Sequence, residues 1–242
     1  MSWGGRGFKV VRGGRVTLDA AVFLEPAQVT AILGPNGSGK TTLLKTLAGL
    51  LDAGSPVEGT HGWREPEWAR RVACVFGEPS DLPFCVEEVL LSSRFPDGGR
   101  WVDPSHESRQ VLLALLNRLE VFPDARAGLD RAYAELSAGE RQLVDVARGV
   151  LQRSDVLLLD EPTASLDLRH RLLVLRLLQD EARKGRTVGV CLHDLREAAG
   201  SDRVIVLRQG RVAADGTPQV LTPALLADVW GVVPVATGYR LV

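Results

Sequence analysis

Eight consecutive residues, Gly34-Pro-Asn-Gly-Ser-Gly-Lys-Thr41, satisfy the spacing G-x-x-x-x-G-K-[ST] without substitution. They are flanked by Val29-Thr-Ala-Ile-Leu33, a buried strand by pattern, and by Thr42-Leu-Leu-Lys-Thr-Leu-Ala48, a helix by pattern. A loop of this kind turns successive backbone N–H groups into one concavity at a helix N-terminus, where the dipole favours anions. Gly34, Gly37 and Gly39 permit the backbone angles and the close approach. Lys40 reaches outer phosphates, and the Thr41 hydroxyl suits Mg²⁺. A Gly-rich turn that bound nothing would need neither the lysine nor the hydroxyl. The expected binding set is Gly34, Pro35, Asn36, Gly37, Ser38, Gly39, Lys40, Thr41 and Thr42, and the expected ligand is a nucleoside triphosphate.

Three further groups carry chemistry. Asp160 and Glu161 end the apolar run Asp155-Val-Leu-Leu-Leu-Asp160. Ligands of parallel sheets bind beyond the carboxyl ends of the strands. There, Asp160 is placed to hold Mg²⁺ through water and Glu161 to orient or deprotonate an attacking water. His193 follows another apolar run, Thr187-Val-Gly-Val-Cys-Leu192. From that position it either contacts the γ-phosphate and the water or serves only in packing. Leu136-Ser-Ala-Gly-Glu-Arg-Gln142 opens a helix, and Ser137-x-x-Glu140 reads as a capping box. A cap does not need Ala138 and Gly139; a second phosphate site does, because small residues leave the helix N-terminus uncovered.

The elements that must hold these residues alternate. Val16 to Leu24 is β-rich and suggests an N-terminal antiparallel portion. Arg70 to Phe76 reads as a short strand, Leu168 to Arg183 as a long helix closed by Gly185, and Arg203 to Leu207 as a strand turning at Gln209-Gly210. Strands interleaved with helices predict an α/β fold with a mixed or largely parallel sheet. From Val86 to about Asn117, apolar residues recur at spacings of three and four around the loop Pro96 to Pro104. This predicts a helical lobe whose stripe is a core face.

Composition narrows the rest. The 242 residues are 45% hydrophobic, enough for one large domain. The 29 Lys+Arg and 30 Asp+Glu leave a net charge of −1, which argues against general nucleic-acid affinity. Cys74, Cys85 and Cys191 form no C-x-x-C pair, as suits a reduced cytosolic protein. No apolar run approaches the roughly 20 residues of a membrane helix, so a membrane role is expected to come through a partner.

Gly34–Thr41, Leu136–Gln142, Asp160-Glu161-Pro162-Thr163, Ser165-Leu166-Asp167 and His193-Asp194 occur in the order and context of ABC-type ATPases, which the chain resembles over essentially its whole length. They are similar to the Walker A loop, the signature motif, Walker B with its catalytic glutamate, the D-loop and the switch histidine. The resemblance implies a P-loop NTPase core spanning 1–242 as one nucleotide-binding domain, with a helical lobe at about 82–135. It implies ATP and Mg²⁺ as ligands, with Thr41 and Asp160 at the metal. It also implies catalysis by Glu161, His193 and Lys40. Two such domains would pair head to tail, with Ser137, Ala138, Gly139 and Glu140 of one facing the ATP of the other. Transmembrane permease subunits would be the further partners, placing the chain in the cytoplasm at the inner face of the membrane. Ser165 to Leu172, Leu192 to Ala199, Gly216 to Pro223 and Trp230-Gly-Val-Val resemble the ATPase subunits of iron-siderophore, heme and vitamin B12 importers.

Two positions depart from the resemblance. Where a glutamine would follow the strand ending near Phe76, the chain has Gly77 with Glu78 beside it. Either Glu78 supplies the oxygen or the site lacks that ligand. Where an aromatic would stack on adenine, the chain has Arg12 beside Val11. A guanidinium can stack on a base, and Phe8 is the upstream alternative.

Overall fold

The structure, a computed structural model, describes residues 2–54, 57–58, 65–77, 83–94, 106–235 and 238–241. The chain opens with a long hairpin, β1 (Trp3–Arg12) against β2 (Arg15–Leu24), antiparallel and joined through Gly13-Gly14. β3 (Val29–Leu33) leads through the phosphate-type loop into α1 (Lys40–Leu47). α2 (Glu65–Arg71) and β4 (Val72–Val75) follow. The lobe contains α3 (Val86–Leu91), α4 (His106–Arg118) and α5 (Ala125–Leu129). Then come α6 (Ala138–Leu151), β5 (Val156–Asp160), α7 (Leu168–Arg183), β6 (Thr187–Cys191) and α8 (Leu195–Ala198). β7 (Arg203–Arg208), β8 (Arg211–Gly216), α9 (Pro223–Trp230), β9 (Val232–Val235) and β10 (Gly238–Leu241) complete the described chain.

Six strands form the central sheet in the order β4-β5-β6-β3-β7-β8. All adjacent pairs are parallel except β7 with β8. Because successive side chains of a strand point to opposite faces, each strand must be apolar at every position to be covered on both sides. Val29, Ala31 and Leu33 therefore join one core cluster, shared with the lobe, α6 and α7. Ile32 joins the other, shared with the hairpin and α1. The same parity divides Leu157 and Leu159 from Val156 and Leu158. Leu43, Leu44 and Leu47 of α1 are fully buried in the hairpin-side cluster. Each such leucine contributes on the order of 2 kcal/mol.

The mixed sheet, the antiparallel N-terminal portion and the helical lobe agree with expectation. The apolar stripe of the lobe is a core face: Val86, Val89, Leu90, Leu112, Leu115, Leu116 and Leu119 are all buried. The intervening segment Pro96 to Pro104 lies outside the described residues. The expected strand Arg70 to Phe76 is shorter, because Arg70 and Arg71 close α2 and the ladder with β5 begins at Val72. Basic side chains suit a helix C-terminus, whose dipole end is negative.

Candidate nucleotide site

Parallel pairing places the carboxyl ends of β3, β5 and β6 along one edge of the sheet, and each ends in a residue that could do chemistry. Leu33 leads into the glycine loop, Asp160 closes β5 beside Cys191 at the end of β6, and His193 follows two residues later. Parallel pairing brings the glycine loop, Asp160-Glu161 and His193 to one edge, although 126 positions separate Gly34 from Asp160 and 32 more lead from Glu161 to His193.

The loop is braced from outside. Ser38 O accepts from Gly210 N at 2.9 Å, and Gly210 O accepts from Asp19 N at 2.7 Å. The turn between β7 and β8 thus ties the loop to the hairpin. The sequence marks Gly210 only as a turn residue, and nothing local signals this second duty. At Gly34, φ is 151°, and a Cβ would fall 2.2 Å from Leu207 O. Only glycine lets β3 pass this close to β7. α1 starts from Gly39 with no side-chain cap, so its first N–H groups are left to a ligand. Lys40 is buried, with Nζ 3.0 Å from Gly34 O and 3.4 Å from Pro35 O. Thr41, the next residue, is exposed.

Asp160 Oδ1 is buried and has no hydrogen-bond partner. An orphaned carboxylate oxygen is costly unless something binds it, and a hard cation is its natural complement. Asp160 with the Thr41 hydroxyl therefore suits Mg²⁺. Cys191 is fully buried; burial first, then the negative charge of the neighbouring Asp160 carboxylate, pushes its thiol well above the usual range. Register with Asp160 is the signal that could have singled it out. Glu161 is in the left-handed region at φ 53°, unusual for a side chain with a Cβ. Its N–H is fixed on Cys191 O at 3.2 Å, and its carboxylate pairs with His193 Nε2. Glu161 is 38% and His193 46% exposed at the side chain, so both remain accessible from solvent.

The start of α6 is built as a capping box. Glu140 N donates to Ser137 Oγ at 3.2 Å, and Ser137 N donates to Glu140 Oε2 at 2.8 Å. Burial alone would raise the Glu140 carboxyl, but Arg131 and the Ser137 backbone outweigh it and hold the group below its ordinary range. The box leaves the N–H groups of Ala138 and Gly139 outside it. A Cβ on Gly139 would meet Ser165 O at 3.3 Å, so the small residue also admits the neighbouring loop.

Arg12 is exposed at the hairpin end, paired across from Arg15. Phe8 is fully buried in the hairpin-side core, which removes it as the alternative base-stacking residue. The hairpin instead exposes Val11 at 53% and Val16 at 44%, directly opposite each other. Gly77 is exposed and a Cβ there would meet nothing within 4 Å, so the backbone does not demand glycine. Glu78 lies outside the described residues. Among the described residues no helix is long and apolar enough to cross a membrane.

A phosphate loop, an orphaned strand-end aspartate and a glutamate–histidine pair on one edge of a parallel sheet define a P-loop nucleotide-binding ATPase. The chain belongs to the ABC transporter family, whose model matches residues 19–164. It is similar to the hemin import ATP-binding protein HmuV of Streptomyces coelicolor, with 44% identity over 233 residues covering 93% of this chain and 81% of that protein. The HmuV of Rhodococcus jostii is 39% identical, over 93% of this chain and 78% of its own length. Among solved structures, a nucleotide-free ATP-binding cassette of an ABC transporter superposes with a TM-score of 0.75 at 22% identity, covering 95% of each chain. A dimeric bacterial ABC transporter cassette superposes at 0.77 and 22% identity, covering 90% of this chain and 99% of that one. These structural likenesses establish the fold.

Proposed function

We propose that the chain is the ATP-hydrolysing subunit of an importer for heme or a related iron-siderophore or cobalamin-like ligand. The observation that carries the catalytic part is the joining of Glu161 and His193 beside the phosphate loop. The substrate class rests on the hemin import relatives, which match 93% of the chain. In this reading 1–242 is one nucleotide-binding domain with a helical lobe at about 82–135. Two copies pair head to tail. The loop Gly34 to Thr42 of one holds ATP, and Ser137, Ala138, Gly139 and Glu140 of the other close over it. Lys40 neutralises outer phosphate charge, Glu161 takes a proton from the attacking water, and His193 holds Glu161 in place. Thr41 and Asp160 would hold Mg²⁺, which would supply charge neutralisation at the phosphates. The subunit works at the inner face of the cell membrane through permease partners, which the helical lobe contacts.

Purified protein with Mg·ATP tests the pairing. Turnover per chain is expected to rise with protein concentration. Turnover that is constant across dilution would argue for a self-sufficient monomer. The permease is tested by co-purification from the native membrane, where capture of a many-helix protein is expected and its absence counts against the transport role.

For the base, the exposed pair Val11 and Val16 offers an apolar platform edged by Arg12. Replacing Val16 with Asp should raise KM for ATP roughly fivefold, the equivalent of about 1 kcal/mol of lost apolar contact, with kcat unchanged. An unchanged KM would remove the platform from the site.

A further inference from the structure

Glu197 has no role in the site described above, yet it joins three of its segments. α8 is capped by the residue immediately after His193, Asp194, whose Oδ1 accepts from Arg196 N at 2.8 Å. One turn on, Glu197 points back into the protein and is 10% exposed. Its Oε2 accepts from Thr163 Oγ1 at 2.8 Å, and its Oε1 lies 3.4 Å from Arg171 Nη1. Thr163 is buried two residues after Glu161. Arg171, on α7, donates from Nε to Leu166 O at 2.8 Å. Leu166 belongs to the segment Ser165 to Asp167, and Ser165 O is the backbone atom that approaches Gly139 at the start of α6.

One carboxylate therefore links the histidine turn, the glutamate turn and, through Arg171, the loop that touches the signature helix. We propose that Glu197 is a positioning residue that couples the Glu161–His193 pair of one chain to its own Ser137–Glu140 segment, and so to the ATP bound by the partner copy. The proposal rests on the head-to-tail pairing given above. Its chemistry follows from the donors. Thr163 and Arg171 both donate, and only a carboxylate accepts from both with a matching charge. Glutamine keeps an acceptor for Thr163 but turns an NH₂ group toward the guanidinium. A contiguous chain of contacts is not by itself evidence of coupling, so the test is a double-mutant cycle.

The variants are Glu197→Gln, Arg171→Lys and the double. Lysine keeps the charge but has no second donor fixed on Leu166 O. Each single variant should lower kcat roughly tenfold and bring the Hill coefficient for ATP toward 1, and the double should be no worse than either single. Fluorescent-ATP affinity of the dilute chain and the melting temperature should stay at parental values, which a merely structural role would not leave in place. Additive losses, or parental kcat and cooperativity in both singles, would overturn the inference alone. A loss of kcat that tracks a fall in melting temperature would overturn it too. A parental enzyme with no concentration dependence and a Hill coefficient of 1 removes the pairing, and this inference with it.

Discussion

Glu161→Gln is expected to stop turnover while leaving nucleotide binding intact. The amide is isosteric and still offers Oε1 to His193, the atom that makes the pair. It cannot accept a proton from water. General-base removal costs about 10²- to 10⁴-fold in kcat. The phosphate cradle is built from Ser38, Gly210 and the Lys40 contacts, none of which involves residue 161. The left-handed backbone at 161 is no worse for glutamine than for glutamate, so the variant should fold normally. ATP bound without turnover should hold the pair closed, and size-exclusion chromatography with Mg·ATP should show a dimer that the parental chain forms only transiently. His193→Ala should also lower kcat, and the double variant should fall little below the worse single, because the two groups act as a unit. If Glu161→Gln hydrolyses ATP at the parental rate, the water is activated elsewhere.

What the sequence made legible depended on how local the signal was. The phosphate loop and its flanking strand and helix are contiguous, and spacing alone located them. The apolar runs ending at Asp160 and Leu192 predicted buried strands, and the carboxyl-end rule placed Asp160, Glu161 and His193 on one edge. The capping box at Ser137 and Glu140 was also readable from four residues. Long-range pairing was not. Nothing near Gly210 announces that it clamps Ser38 to Asp19, and nothing near Glu197 announces Thr163, 34 residues away. The end of the hairpin shows the limit most plainly. Phe8 and Val11 are three positions apart on β1, and the sequence offers Phe8 only as the upstream alternative to Arg12. Strand parity buries the first and exposes the second.

Lys40→Ala should separate binding from stability, with opposite signs. Lys40 is 6% exposed, and its ammonium rests on two carbonyl oxygens of the loop. Among the described residues no carboxylate lies within ion-pair distance. Carbonyl dipoles compensate a buried cation only in part, and the charge sits at the first position of α1, where the helix dipole is itself positive. The folded state therefore retains an unfavourable electrostatic contribution that a bound triphosphate relieves. Alanine removes the cation and is the better helix former, worth about 0.5–1 kcal/mol at such a helix end. The nucleotide-free variant should melt at the parental temperature or above it. Its affinity for ATP should fall about 10- to 150-fold, the equivalent of one charge-assisted hydrogen bond of roughly 1.5–3 kcal/mol. Hydrolysis should fall with it. Lys40→Arg should not restore binding, because a planar guanidinium cannot occupy the cradle of Gly34 and Pro35 carbonyls as a compact ammonium does. The paired measurement is a thermal melt without nucleotide and a fluorescent-ATP titration. A variant that loses binding only because it unfolds, or one that binds ATP at parental strength, would remove Lys40 from the phosphate site.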